Sequence, residues 1–180
     1  MVFIVLIAII VIILMTVISI SNSLNRSLVK IDEANSGIDV ALNKRYDVLT
    51  KMVDVVKGYA KYEQDTLVKT IQLRQGMTMQ EKIDANNAME ESFSKIFALA
   101  ENYPDLKASE NYKTLQQAIA DVEEHLQAAR RLYNANVSSY NQQIVTFPSS
   151  IIANSKGLTK KDFFNVEDKK REDVKIDLNI

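Results

Sequence analysis

The stretch "LNRSLVKIDEANSGIDVALNKRYDVLTKMVDVVKGY", residues 24–59, decides the fold. Steps of four and three from Leu24 land on Leu28, Ile31, Asn35, Ile38, Leu42, Arg45, Leu49, Met52, Val56 and Tyr59, and only Asn35 and Arg45 among these are polar. Side chains three and four apart share one face of an α-helix, so this rhythm predicts a long helix with a single buried seam. Beyond Tyr59 the seam loosens, and Leu67, Ile71 and Leu73 carry the expected helix on to about Gln75-Gly76.

Upstream of Leu24 the chain changes character. All 22 Lys and Arg and all 23 Asp and Glu lie from Arg26 onward, and Met1–Ile20 contains only two polar residues, Thr16 and Ser19. About twenty apolar helical residues at 1.5 Å each cross the ~30 Å hydrocarbon layer. Residues 1–23 are therefore expected to form a transmembrane anchor that runs directly into the seam helix. A secretory signal would show a basic start, a shorter apolar run and a small-residue cleavage site; none is present here. Arg26 and Lys30 flank the C-terminal side of the run, which by the bias of basic loops predicts a single pass through the plasma membrane with the bulk of the chain cytoplasmic. The absence of Cys fits a reducing compartment and removes thiol catalysis and thiolate metal sites.

Downstream, residues 24–165 read as one helical bundle. Gly76 is a helix stop, and Thr78 and Glu81 stand at capping-box spacing before a second helix from about Met79 to Glu101, with Ile83, Met89, Phe93, Ile96, Phe97 and Ala100 on one side. "ENYPDLKASEN", residues 101–111, breaks it, because Pro104 has no backbone N–H and biases Tyr103 away from helix. A third helix from near Ser109 to Phe147-Pro148 buries Tyr112, Leu115, Ile119, Val122, Leu126, Ala129 and Tyr133, and its seam then shifts phase to Val137, Tyr140, Ile144 and Phe147. Short helices are expected at Ser150–Ser155 and around "TKKDFF", residues 159–164. Residues 166–180 form a charged tail ending in the alternation Val174, Ile176, Leu178, Ile180, an extended segment suited to lying on the bundle or on a partner's edge.

The phase shift coincides with "YNANVSSYN", residues 133–141. Asn and Ser are poor helix-interior residues, since their side chains compete for nearby backbone groups, so this composition must be offset by tertiary contacts. Seven residues return to nearly the same helix face, which puts Tyr133 and Tyr140 on one stripe with Asn134 and Asn141 beside them. A polar lock against a neighbouring helix or the tail is favoured over a ligand slot, because Tyr at helical spacing is usually core with its hydroxyl satisfied.

Four ordered blocks resemble the LemA family of bacterial membrane-anchored helical proteins: "KRYDVLTKMVDVVKGYAKYE" from Lys44, "ENYPDLKA" from Glu101, "ARRLYNANVSSYN" from Ala129, and "FP" at Phe147-Pro148, behind the N-terminal anchor. Departures are small: Lys44 stands where the family often has a second Arg, and Thr50 and Lys51 replace a Pro-Asn-Leu-like run. The resemblance implies an all-α protein, an accessory or scaffolding role at a membrane, and little chemistry.

The residues themselves argue the same way. The single His, His125, falls on a flank beside Leu126 and reads as solvated, and a di-metal carboxylate bundle needs two His-bearing helices. Gly37, Gly58, Gly76 and Gly157 are isolated, so no phosphate-binding loop exists. Near-balanced charge gives no field for nucleic acid. No catalytic residue, metal or cofactor is expected. Arg45 is the exception on the seam, with Asp47 nearby. Its stem can lie along apolar surface with the guanidinium reaching water, or it can pair with Glu101, Glu123 or Glu124 and fix the register of the helices; the second is favoured. Tyr103 and Leu106 are expected to staple the Pro104 turn to the core, with Asp105 or Ser109 capping the next helix.

The expected fold is an elongated antiparallel bundle of three to four helices on a transmembrane helix. Its second helix is shorter than its neighbours, which leaves an overhang to be covered by the tail, a second copy or a partner. The expected function is non-enzymatic: a membrane-anchored scaffold for assembly with itself or with membrane-protein partners. The alternative is a ligand- or peptide-binding sensor using Arg45 and the Tyr-Asn face.

Overall fold

The computed structural model describes residues 1–59, 71, 73, 74 and 76–165. Among them are five helices and no strand: α1 (Val2–Lys57), α2 (Met79–Ala100), α3 (Pro104–Ala108), α4 (Glu110–Val145) and α5 (Ser149–Ser155). The protein is an all-α bundle led by a long apolar helix.

Helix α1 is a single rod of 56 residues, about 84 Å long. Every large apolar side chain from Met1 to Ile18 is exposed, and Thr16 returns its hydroxyl to the Ile12 carbonyl at 2.8 Å, a way to satisfy a polar group without water. From Leu24 the same helix buries a stripe that includes Ile31, Ile38, Leu42, Arg45, Leu49, Met52 and Val56, widened by Ala34, Ala41 and Val53. The four-three rhythm thus becomes the core seam.

The helix does not reach Gln75-Gly76. It ends at Lys57 with Gly58 as C-cap, Tyr59 is exposed, and Ile71, Leu73 and Arg74 are not helical. Continuing the rhythm past Tyr59 would land on Glu63, Thr66 and Thr70, so the stripe runs out of apolar residues to bury. Leu67, Gln75 and the alternating residues of 166–180 lie outside the described residues.

Gly76 takes φ 78°, a left-handed conformation that glycine adopts without a side-chain clash, and delivers the chain to Thr78. There the capping box forms as spaced: the Glu81 N–H donates to Thr78 Oγ1 at 3.2 Å and the Thr78 N–H donates to Glu81 Oε2 at 2.7 Å. The Thr78 N–H, its hydroxyl and Arg74 hold the Glu81 carboxyl below its usual range.

Pro104 opens a five-residue helix, α3, rather than an irregular loop; at N1 its missing N–H costs nothing. Leu106 is fully buried and Tyr103 packs against the core. Ser109 then caps α4, accepting from the Tyr112 N–H at 3.3 Å while donating to the Leu106 carbonyl at 2.8 Å.

Helices α1 and α4 run antiparallel and make the main interface. Arg45 meets Glu123, Asn136 donates to the Lys30 carbonyl, and Ser27 donates to Gln143, so pairing proceeds steadily along both rods. Helix α2 lies beside the half of α1 distal from the apolar run. The remaining length is covered by α5 and by residues 158–165, which are not helical as the "TKKDFF" pattern suggested; α4 side chains meet them every three residues, the spacing of an extended chain, up to a tight turn in which the Asn165 N–H donates to the Phe163 carbonyl at 3.1 Å. Their backbone groups are taken up by α4 side chains, a tertiary demand that overrides local helix preference.

Candidate functional site

Two polar constellations are built into this bundle. The first surrounds Arg45, whose place on the α1 seam carries it between α2 and α4, where it is 2% exposed. Its Nη1 donates to Asn86 Oδ1, and its Nη2 meets both Glu90 Oε2 and, at 3.0 Å, Glu123 Oε2. The guanidinium also lies 5.5 Å from the centroid of the Phe93 ring, a cation–π distance, and Nε alone is buried without a partner. One side chain therefore ties three helices.

About two to three turns away on α1 the arrangement recurs with the charges exchanged. Lys82 of α2, 2% exposed, donates to Asn35 Oδ1 at 2.8 Å and pairs with Asp39 at 2.5 Å. Asn35 and Arg45 are the two polar residues of the seam, and each has its partner on α2. Lys82, Asn86 and Glu90, spaced by four, form the matching stripe.

The second constellation is the Tyr-Asn repeat. Asn134 accepts from the Phe164 N–H at 2.8 Å and donates to the Phe164 carbonyl at 3.1 Å. Asn141 does the same to Lys161, both bonds at 2.9 Å. Each amide thus pairs with one residue of the extended segment as a neighbouring strand would, and because a backbone N–H must meet an oxygen, the amide orientation is fixed. Tyr133 donates to the Asp162 carbonyl at 3.0 Å and Tyr140 to the Thr159 carbonyl at 3.1 Å.

The periods agree. Seven helical residues advance about 10.5 Å, and three extended residues about 10 Å. A Tyr-Asn pair every seven residues therefore meets the segment every three, at Thr159/Lys161 and again at Asp162/Phe164. Phe164 is fully buried, with the Arg130 guanidinium 5.1 Å from its ring centroid. Burial raises both phenols above their usual value near 10, and for Tyr133 the nearby Asp162 and Asp32 add to it.

Of the residues singled out from sequence, Tyr133, Asn134, Tyr140 and Asn141 come together on the 158–165 segment, and Arg45 finds Glu123 among the three carboxylates considered. Glu124 is exposed, and Glu101 is the C-cap residue of α2, about eleven residues beyond Glu90 and so about 16 Å further along that helix. Asp47 is exposed and makes no ion pair among the described residues, and Tyr103 and Pro104 belong to the α2–α3 turn. His125 is exposed. Lys82, Asn86, Glu90, Asp39, Arg130 and Phe164 were not anticipated. The one available signal was the four-residue spacing of Lys82, Asn86 and Glu90 beside the apolar stripe of α2.

The profile of the LemA family matches residues 34–178, a range that takes in both constellations. The chain belongs to the LemA family. It is 33% identical over 161 residues to Protein LemA of Metamycoplasma hominis, covering 85% of this chain and 72% of that relative. It is also similar, at 23% identity over 83 residues, to Magnetosome protein MamQ of Magnetospirillum gryphiswaldense, and at 24% over 82 residues to Magnetosome protein MamQ 1 of Paramagnetospirillum magneticum. The match spans 30% of each magnetosome protein, so the likeness to them is local. The LemA match begins at Ala34 and thus falls on the bundle rather than on the exposed apolar stretch of α1.

Proposed function

We propose that this LemA-family protein is a single-pass, non-enzymatic interaction protein of the plasma membrane. Residues 1–23 anchor it, residues 24–165 stand off the bilayer as a cytoplasmic rod, and the rod assembles with itself or with membrane-protein partners. The observation that carries the proposal is the continuity of α1: one helix passes from a fully exposed apolar stretch to a buried seam without a break. The anchor and the rod then move as one body, which suits a protein that holds something at a set distance from the membrane. The local likeness to the magnetosome proteins is in keeping with a place at a membrane.

Cross-linking in intact cells, followed by alkaline carbonate extraction, tests both halves. The chain should stay in the membrane pellet and appear in adducts with a second copy or another membrane protein. Release by carbonate, or a strictly monomeric chain with no adducts, would sink the proposal.

A second reading is favoured by the Tyr-Asn repeat, whose four side chains all bond main-chain groups of the segment while Phe164 fills a buried site, as peptide-binding domains hold a ligand. Under it the groove on α4 is a peptide site occupied in cis. A chain ending at Gly157 should be stabilised on adding a peptide of residues 158–165, and Asn134→Ala with Asn141→Ala should abolish the rise in melting temperature. No rise in the unsubstituted truncated chain counts against it.

A further inference from the structure

Although the chain is nearly neutral, its charges are not evenly placed. Residues 1–31 carry two basic residues and residues 137–161 carry three, and neither range contains an Asp or Glu. The antiparallel pairing of α1 with α4 brings these ranges together. Ser27 Oγ donates to Gln143 Oε1 at 3.1 Å, and Lys156 reaches Ser21 Oγ from the end of α5. The C-terminal end of α4 and α5 therefore sit at the height of Ser21–Ser27, just past Ile20, the last residue of the apolar run.

The turn between α4 and α5 exposes large apolar side chains at this height. Val145 is 59% exposed, Phe147 77% and Ile151 61%. Val145, the last residue of α4, lies two residues beyond Gln143 and so near the level of Asn25, about 7.5 Å past Ile20, and Lys156, just beyond α5, meets Ser21, about 1.5 Å past it. The headgroup zone on each side of the hydrocarbon is about 5–7 Å deep, so the chain that joins these two levels, Phe147 and Ile151 included, passes through it. Beside them α1 and α4 enclose a cleft of about 190 Å³ that takes in Arg26, Lys30 and the hydroxyls of Ser23 and Ser139. Neither Arg26 nor Lys30 forms a salt bridge among the described residues. Ser23 and Arg26 lie about 4.5 and 9 Å past Ile20 and Lys30 about 15 Å, so the lower end of the cleft opens on the headgroup zone; the long side chains of Arg26 and Lys30, tilted toward the N-terminal and membrane end of α1, bring opposite charge and hydrogen-bond donors to a phosphate diester there.

We propose that the base of the bundle is a second contact with the same membrane, in which the Val145–Ile151 turn dips into the headgroup zone and the Arg26–Lys30 cleft holds the phosphate of an anionic phospholipid. It rests on residues 1–23 being a span. Apolar side chains in the interface and cations against an anionic surface add to the anchor's hold and fix the rod upright, since contact at one height sets its tilt.

The chain contains no Trp, so single Trp probes are clean. Full-length Ile10→Trp, Leu132→Trp and Phe147→Trp chains would be reconstituted into vesicles of phosphatidylcholine, with or without phosphatidylglycerol, containing acyl-chain-brominated lipid. The Ile10→Trp chain should be quenched in both lipids. The Phe147→Trp chain should be quenched about twofold more than the Leu132→Trp chain, whose probe sits well above the bilayer, and more strongly with the anionic lipid. Adding Arg26→Gln and Lys30→Gln should remove that lipid dependence and leave the Ile10→Trp signal unchanged. Equal quenching at positions 132 and 147, with position 10 quenched, would overturn the second contact and leave the span standing. Equal quenching of the Phe147→Trp chain in the two lipids would overturn the headgroup site. An unquenched Ile10→Trp chain would overturn the span and this contact together.

Discussion

Replacing Asn134 and Asn141 together with alanine is expected to lower the melting temperature of the full chain in detergent micelles by about 5–10 °C, equivalent to ~2–4 kcal/mol. Each Asn makes two hydrogen bonds to main chain, worth about 0.5–1.5 kcal/mol apiece in net terms. The loss does not grow without limit, because once the segment is freed its N–H and C=O groups return to water. The ceiling is the free energy of docking residues 158–165, set largely by the burial of Phe164 at about 1.5–3 kcal/mol and by the two phenol bonds. The two substitutions should therefore combine to less than the sum of the singles, since both release the same segment. Amide hydrogen exchange gives a readout that general loosening would not: the Lys161 and Phe164 N–H groups should lose protection while the Leu42 and Leu49 N–H groups on α1 keep theirs. Unchanged protection at 161 and 164 would mean that the amides are not what holds the segment.

Arg45→Ala is expected to cost about 3 kcal/mol, read as a fall in the denaturation midpoint at unchanged slope. Removing one partner of a buried pair ordinarily costs more, up to about 5 kcal/mol, but Glu90 is 59% and Glu123 36% exposed and both can recover water. Most of the loss then comes from the buried stem, the stacking on Phe93 and the orphaned Asn86. Arg45→Met keeps most of the volume and removes the unsatisfied Nε but still orphans Asn86, so it should cost less than alanine, about 1–2 kcal/mol. Arg45→Lys should be worse than methionine, because a point charge cannot meet Asn86, Glu90 and Glu123 from one position. The order Met, Lys, Ala from least to most damaging assigns the role of Arg45 to packing and geometry; lysine equal to wild type would make simple charge sufficient.

Much of the bundle was legible because helical periodicity is a property of the chain alone. Of the ten seam positions from Leu24 to Val56 all but Leu28 and Asn35 are buried, and the capping residues Thr78 and Ser109 do what their spacing implied. Two polar interruptions on that seam, Asn35 and Arg45, pointed to something across the interface. Their partners were harder to see. Lys82, Asn86 and Glu90 are ordinary surface types for a helix, and their four-residue spacing beside the apolar stripe of α2 suits a solvated face as well as one that meets Arg45. The helix expected over 159–164 failed for a related reason. Its backbone groups are satisfied by Tyr133, Asn134, Tyr140 and Asn141, whose role depends on the segment being there. The overextension of α1 past Lys57 came from giving Leu67, Ile71 and Leu73 weight although the intervening seam positions are polar.

The Asn clamps grip atoms that nearly every residue possesses. An amide paired with the N–H and C=O of position 161 or 164 is blind to the side chain attached there, apart from the space Phe164 fills. The residues from Thr159 to Asn165 other than Phe164 are thus free to drift in sequence so long as the thread remains extended, while proline at 161 or 164, lacking the hydrogen that each Asn accepts, would unseat it. A groove of this kind selects for conformation rather than composition, and tolerates a changing occupant while the two Tyr-Asn pairs stay fixed.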